Sequence, residues 1–276
     1  MTTSILVPFR TGDCPHRDAA WGHVRRRYES WPIHVGSCAG EWSKGSALAA
    51  ARAGTSADVL VLADADSFVD ADTLRAAINL VESRAVGWVV PHRTVYRLNQ
   101  KETSRVLAGA QPRLGATIRA PYPAVAGGGI TVVAASAFDD VRGVDDRYLG
   151  WGGEDLSFGW ALETLAGQPA RLDAPLVHLW HPHPAPNLRG SPEAEELVAR
   201  YRHARGVPRL MQALVDRVDP APAEIPERPV RFATARESRT VKVGDRVIRF
   251  RRHVYETRDP DEIELLRWLP DASEVS

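Results

Sequence analysis

A run of aliphatic residues that ends in two carboxylates, Asp58-Val59-Leu60-Val61-Leu62-Ala63-Asp64-Ala65-Asp66-Ser67, constrains this chain more than any other stretch. A continuous β-branched and aliphatic run reads as a strand buried on both faces. If extended geometry persists to Asp66, period-two alternation sends Asp64 and Asp66 to one side and Ala65 to the other. Open α/β sheets bind ligands at the carboxyl ends of their central strands. Hard oxygen donors placed there suit Mg²⁺ or Mn²⁺, which could in turn hold a diphosphate. The same residues also fit a plain turn in which Asp64 or Asp66 caps the helix that starts near Asp70.

The flanking segments supply the layers such a strand needs. Ser4 to Phe9 is a short strand ended by Pro8 and Gly12, and Arg10 sits just past its carboxyl end, where a guanidinium suits a phosphate or a uracil edge. A helix is expected from Arg17 to Tyr28, then a strand at Ile33–Gly36. Ser43-Lys44-Gly45-Ser46 opens an alanine-rich helix closed by Gly54. Lys44 at its start reads either as a phosphate contact or as a solvated surface lysine. A helix from Asp70 or Asp72 to Ser83 precedes a strand at Val86–Pro91. This alternation implies βαβ units and a mainly parallel sheet. From Tyr96 to Pro123 the pattern weakens and reads as a helix or a mobile excursion. Gly127-Gly128-Gly129 then lead into a strand through Val133. Glycines there permit close backbone approach to a ligand, or simply a bulge or tight turn.

Two further clusters carry chemistry. Trp151-Gly152-Gly153-Glu154-Asp155 delivers adjacent carboxylates at a helix start. Capping and the macrodipole favour acids there in any case, but they do not account for the Trp-Gly-Gly loop that precedes them. Near the end of a short strand lie His178, His181 and His183, of which His178 and His181 are candidate metal ligands. An imidazole beside the acidic pair is compatible with Mn²⁺.

Lysines and arginines balance aspartates and glutamates, so the formal net charge is zero, which argues against a bulk nucleic-acid binder. No apolar run is long enough to span a bilayer. With only Cys14 and Cys38, and an opening that lacks a signal-peptide pattern, a reducing cytoplasm is the expected location. The tail is organised differently. Ser191 to Val218 reads as helical with a break at Pro208, and residues 219–229 form a proline-rich linker. Thr240–Val243, Gly244-Asp245 and Arg246–Phe250 fit a hairpin, and Asp259 caps a last helix with Leu265, Leu266 and Leu269 inward. Arg228 to Arg258 carries ten Arg and Lys against three acids. Such a run is either a solvated face or a docking module for an acidic protein or nucleic acid.

Taken in order, these residues resemble the GT-A-fold glycosyltransferases, especially family 2, family 27 and the β-1,4-galactosyltransferase-like group, over roughly residues 4 to 184. Pro8-Phe9-Arg10 resembles the nucleotide-contacting opening, and Lys44-Gly45 the segment leading to the metal strand. Asp64-Ala65-Asp66 resembles the DxD motif, and Gly128-Gly129 the glycine pair beside the donor sugar. Trp151-Gly152-Gly153-Glu154-Asp155 resembles the acceptor-side motif. The resemblance implies a mixed, mainly parallel GT-A sheet flanked by helices over residues 1–218. The linker 219–229 would then join it to a small basic module at 230–276. It also implies a metal-dependent transfer from a nucleotide-diphosphate sugar, UDP favoured, to an acceptor hydroxyl on a glycan, protein or small molecule. Mn²⁺ or Mg²⁺ would sit on Asp64, Asp66 and His178, with His181 as an alternative ligand. Asp155 would act as the base of an inverting reaction, and Glu154 would orient a substrate. Trp151, Gly152 and Gly153 would meet the sugar. Family 27 enzymes are retaining and carry Glu-Asn where this chain has Glu-Asp, so the stereochemistry rests on that difference. The alternatives are a DNA-modifying glycosyltransferase guided by the basic tail, and an inactive GT-A domain used for binding or assembly.

Overall fold

The computed structural model describes residues 1–182 and 190–275. The first strand, β1 (Thr3–Pro8), leads through α1 (Pro15–Arg27) to β2 (Ile33–Gly36), and α2 (Lys44–Arg52) returns the chain to β3 (Val59–Ala63). Ser43 caps α2 by accepting from the Ser46 amide. After β4 (Ser67–Phe68), Asp70 caps α3 (Ala71–Glu82) in the same way through the Thr73 amide. The chain continues through β5 (Trp88–Val90), β6 (Thr94–Arg97), α4 (Gln100–Leu107), β7 (Tyr122–Pro123) and β8 (Ile130–Ala134). Next come α5 (Ala135–Asp140), α6 (Glu154–Leu165), β9 (Ala170–Arg171) and β10 (Pro175–His178).

The main sheet has the order β2-β1-β3-β8-β5-β9. Its left half is parallel, and β8 runs antiparallel to both β3 and β5. Every residue of β3 is buried, as its unbroken apolar run requires, with separate apolar clusters on its two faces. Gly36 lets α2 press on β2: a Cβ there would lie 1.8 Å from the Ala47 carbonyl oxygen.

Residues 96–123 contain the expected helix, α4, and also strands beyond that expectation: β6 and β7, at the two ends of the stretch, belong to a second, four-stranded sheet of order β4-β10-β6-β7. Short strands whose partners lie far along the chain leave little local signal, and β6 pairs with β10, some eighty residues away. Beyond α7 (Pro192–Ala204) and α8 (Pro208–Asp216), the tail is also more than a hairpin and a helix. It forms an antiparallel sheet from β11 (Val230–Ala233), β12 (Ser238–Val243), β13 (Arg246–Arg251), β14 (Val254–Thr257) and β15 (Ser273–Val275), with α9 (Pro260–Trp268) against it. The expected hairpin is β12–β13, turning at Gly244-Asp245. Phe232, Ile248, Phe250, Leu265 and Leu266 form the core of this sheet, which Val207 joins from the α7–α8 corner. Arg209 seals the contact by pairing with Asp261 and Glu264. Lys242, Arg249 and Arg251 are exposed on the outer face and make no ion pair among the described residues.

Candidate active site

The carboxyl end of β3 does not stay extended. Ala63 is its last residue, and a turn follows in which the Ser67 amide donates to the Asp64 carbonyl at 3.3 Å. The Asp64 amide is tied to the Gly129 carbonyl at 2.9 Å, whereas the Asp66 carbonyl accepts from the Leu179 amide at 2.8 Å. The two aspartates are thereby fastened to different neighbours through their main chains, and their side chains keep different company: Asp66 groups with two histidines and Asp64 pairs with Lys44.

Asp66 is buried at 4% exposure and meets His178 and His181. Its Oδ1 lies 3.7 Å from His178 Nε2 and its Oδ2 lies 3.4 Å from His181 Nε2. Each imidazole places Nδ1 2.8 Å from a backbone carbonyl, Leu179 for His178 and Pro182 for His181. A ring nitrogen that close to a carbonyl oxygen carries a proton, which leaves Nε2 of each ring as the atom nearest the carboxylate. Burial, reinforced by Arg97, lowers the His178 pKa to about 4 and keeps that ring neutral. Burial alone would raise the Asp66 carboxyl; His178, Arg17 and His181 prevail and bring it down to about 2. Two imidazole nitrogens gathered with a carboxylate, their ligand atoms within 4.8 Å of one another, form a donor set that suits a divalent cation. His183 lies outside the described residues.

Asp64 belongs to a second cluster. The Lys44 ammonium lies 2.8 Å from Asp64 Oδ1 and 2.8 Å from Asp155 Oδ1. The surface-lysine reading of Lys44 is thus corrected: α2 starts against the Val144–Asp146 loop, which Gly45 allows to approach, and carries the lysine inward. The two carboxylates raise its pKa well above normal against the opposing effect of burial. Asp155 opens α6 after Gly153, whose φ of 95° only glycine adopts readily. Burial raises the Asp155 carboxyl to about 7, with Glu154 and Asp64 reinforcing it and Lys44 opposing.

The glycine run owes its composition to this helix start. A Cβ on Gly127 would lie 2.4 Å from the Asp155 carbonyl, and one on Gly128 would lie 2.9 Å from Asp155 Oδ2. On Gly129 it would meet the Leu176 side chain at 2.5 Å. Gly128→Ala therefore sets a methyl carbon 2.9 Å from the Asp155 carboxylate oxygen, inside van der Waals contact, so that the carboxylate must shift. The fold should survive, since the obstruction is a side-chain tip, while turnover falls at least tenfold. Circular dichroism beside an activity assay checks both parts.

Pro8, Lys44, Asp64, Gly127 and Gly129 line one narrow hollow at the carboxyl ends of β1 and β3. A wider hollow at the opposite ends of the strands, among Met1, Asp58, Arg84 and Ser136, gathers no carboxylate–histidine set among the described residues. Phe9 and Arg10, two other expected nucleotide contacts just past β1, each have partners within the chain. The Phe9 ring is buried against Trp21, with centroids 5.8 Å apart. Arg10 pairs with Asp13 at 2.7 Å and donates to the Gly40 carbonyl at 2.9 Å. Glu154 turns back on its own loop, Oε2 accepting from the Gly152 amide at 3.0 Å. Trp151 is half exposed, and the carbonyls of Trp42 and Trp151 accept from the amides of Gly150 and Gly190.

Sequence reasoning missed three residues. Arg17, in the first turn of α1, reaches Asp66 Oδ2 with Nε at 3.1 Å. Arg97 places Nη2 3.3 Å from His178 Nε2. His92 is buried beside Gly129, with Nδ1 unpaired and its pKa lowered to about 4 by burial. Each is brought in by tertiary packing, and only Arg17's place near a helix start gave a local signal.

Residues 115–175, from before the glycine run through α6 to the start of β10, match a family profile described as the N-terminal domain of galactosyltransferase. A comparison with curated proteins finds no match. Among solved structures, the chain is similar to the catalytic domain of Drosophila β-1,4-galactosyltransferase 7 in complex with xylobiose, at 14% identity, covering 95% of this chain and 96% of that one, with a TM-score of 0.45. S. aureus TarS with UDP-GlcNAc gives 10% identity, 73% and 66% coverage, and a TM-score of 0.45. Mycobacterium tuberculosis glucosyl-3-phosphoglycerate synthase with Mn²⁺, UDP and glucosyl-3-phosphoglycerate gives 12%, 95% and 91%, and 0.41. At such scores these likenesses carry no inference about what this chain binds. The galactosyltransferase match falls on the segment that carries the glycine run and builds the Asp155 side of the site, beside the mixed sheet around β3.

Proposed function

We propose that the protein is a metal-dependent glycosyltransferase that moves a sugar from a nucleotide diphosphate, UDP favoured, to an acceptor hydroxyl with inversion. The observation that carries this reading is the Asp66–His178–His181 cluster, two imidazoles and a buried carboxylate with ligand atoms within 4.8 Å of one another. Two imidazoles and one carboxylate suit Mn²⁺ better than Mg²⁺, which prefers oxygen ligands and keeps its waters. When bound, the cation neutralises charge growing on the departing diphosphate. The chain's own groups do the rest. Asp155 accepts the proton of the attacking hydroxyl, and its raised pKa suits a base working near neutrality. Glu154 holds the Trp151–Gly153 loop in shape, and the exposed indole of Trp151 offers an apolar face to a sugar ring.

Residues 1–218 would form the catalytic domain, joined by 219–229 to the basic accessory module at 230–276. No described helix is long and apolar enough to cross a membrane, and a cytoplasmic setting belongs to the same proposal. Incubation with a panel of nucleotide sugars and Mn²⁺, following release of the nucleoside diphosphate, tests the reading. Release from at least one donor is expected. Failure of every donor, together with failure of UDP to bind, would reject it.

A further inference from the structure

The two oxygens of Asp155 have different surroundings. Oδ1 is held by Lys44 Nζ at 2.8 Å. Oδ2 lies over Gly128, 2.9 Å from where a Cβ would be, and has no hydrogen-bond partner among the described residues. The lysine is itself anchored, because its ammonium also forms an ion pair with Asp64 Oδ1 at 2.8 Å. Lys44 comes from the first turn of α2, Asp64 from the turn after β3, and Asp155 from the first turn of α6. One ammonium therefore ties together residues from three separate elements.

From this geometry we infer that Lys44 is a positioning residue for the base. It fixes Asp155 through Oδ1, so that Oδ2 alone is presented to the acceptor hydroxyl, and Asp64 serves as its anchor rather than as a ligand of the cation. The inference rests on the proposed transferase reading and assigns Lys44 a task other than holding diphosphate. The atoms balance simply. Oδ2 takes the hydroxyl proton as the oxygen bonds to the anomeric carbon, and the diphosphate leaves with its bonding electron pair. Lys44 keeps all its protons throughout. A short ammonium contact suits this task because it restrains a carboxylate without taking its lone pairs on the far oxygen, and a base misplaced by about 1 Å loses on the order of a hundredfold in rate.

A double-mutant cycle tests it. Lys44→Met keeps the bulk of the side chain and removes the charge. In the otherwise unchanged protein it should lower kcat at least tenfold while the KM for donor moves less than threefold. In an Asp155→Asn background the same change should cost less than threefold, because Lys44 acts through Asp155. The groups that face Asp155 are Lys44 from α2, Asp64 from the β3 turn, and its neighbour Glu154; the Gly127–Gly128 backbone covers the remaining side. With the one cation gone and both anions kept, the rising limb of the pH–rate profile should move to higher pH. Lys44→Arg should recover part of the rate and return the limb towards its original position. Equal losses in both backgrounds, or a loss confined to donor KM, would place Lys44 on the donor and overturn the inference. An unmodified protein that turns over no nucleotide sugar would reject the transferase reading itself, and this inference with it. Thermal unfolding of each variant separates either result from a failure to fold.

Discussion

Asp155→Asn should lower kcat by about 10²–10⁴-fold, the usual span for loss of a general base, with UDP affinity left within about twofold. The asparagine keeps the shape and can still meet Lys44 through its carbonyl oxygen, but it has no lone pair basic enough to take the hydroxyl proton. The pH dependence gives the same residue an independent signature. Burial, with Glu154 and Asp64 adding, raises the Asp155 pKa to about 7, against the pull of Lys44. A base works only when deprotonated, so a raised pKa means activity that is present above about pH 7 and falls as pH drops through it. Well below that point kcat/KM should decline about tenfold per unit of pH. An unperturbed aspartate, with its pKa near 4, would leave the rate flat across the whole range from pH 5 to 8. A flat profile over that range, or near-normal turnover by the asparagine variant, would remove Asp155 from the role.

The parts of the fold that could be read from the sequence are those set by local physics. The apolar run of β3 needs no partner to be recognised, and Ser43, Asp70 and Asp259 mark helix starts because their side chains accept from amides two or three residues on. The glycine run and the Trp-Gly-Gly-Glu-Asp loop were legible as unusual. Their mutual contact, with Gly127 and Gly128 clearing space for Asp155, was not. Strands of two to four residues such as β4, β6 and β7 escape a periodicity test altogether, and pairing across long separations decides them. The different partners of Asp64 and Asp66 have the same origin. Alternation holds only while a strand stays extended, and the tie from Asp64 to Gly129 and the tie from Asp66 to Leu179 together end it. Local sequence placed both acids at the right end of the sheet, but which group each would face depended on segments more than sixty residues away.

Because Asp64 pairs with Lys44 and Asp66 groups with two histidines, removal of metal ligands should separate the two acids sharply. Asp66→Ala is expected to lower Mn²⁺ affinity by well over tenfold, and His178→Ala and His181→Ala to do the same, read by calorimetry or by the EPR signal of free Mn²⁺. Asp64→Ala should leave Mn²⁺ affinity within about threefold, since its carboxylate is spent on Lys44 rather than on the histidine cluster. Turnover should fall in all four variants, by loss of charge neutralisation in the first three and by loss of the lysine's anchor in the last. In the unaltered protein a chelator should abolish turnover, and added Mn²⁺ should restore it. His178 contributes a ligand over a wide range of pH: its pKa, lowered to about 4 chiefly by burial, keeps Nε2 free of protons until the solution is well into acid. Arg17, which now offsets the charge of Asp66 at 3.1 Å, competes with the cation for the same oxygen. Arg17→Gln should therefore strengthen Mn²⁺ binding in the absence of nucleotide, by a few-fold at most because the guanidinium is partly solvated. If Asp64→Ala weakened Mn²⁺ as much as Asp66→Ala does, both carboxylates would have to turn onto one ion when it binds. The division of labour drawn here between the two aspartates would then be wrong.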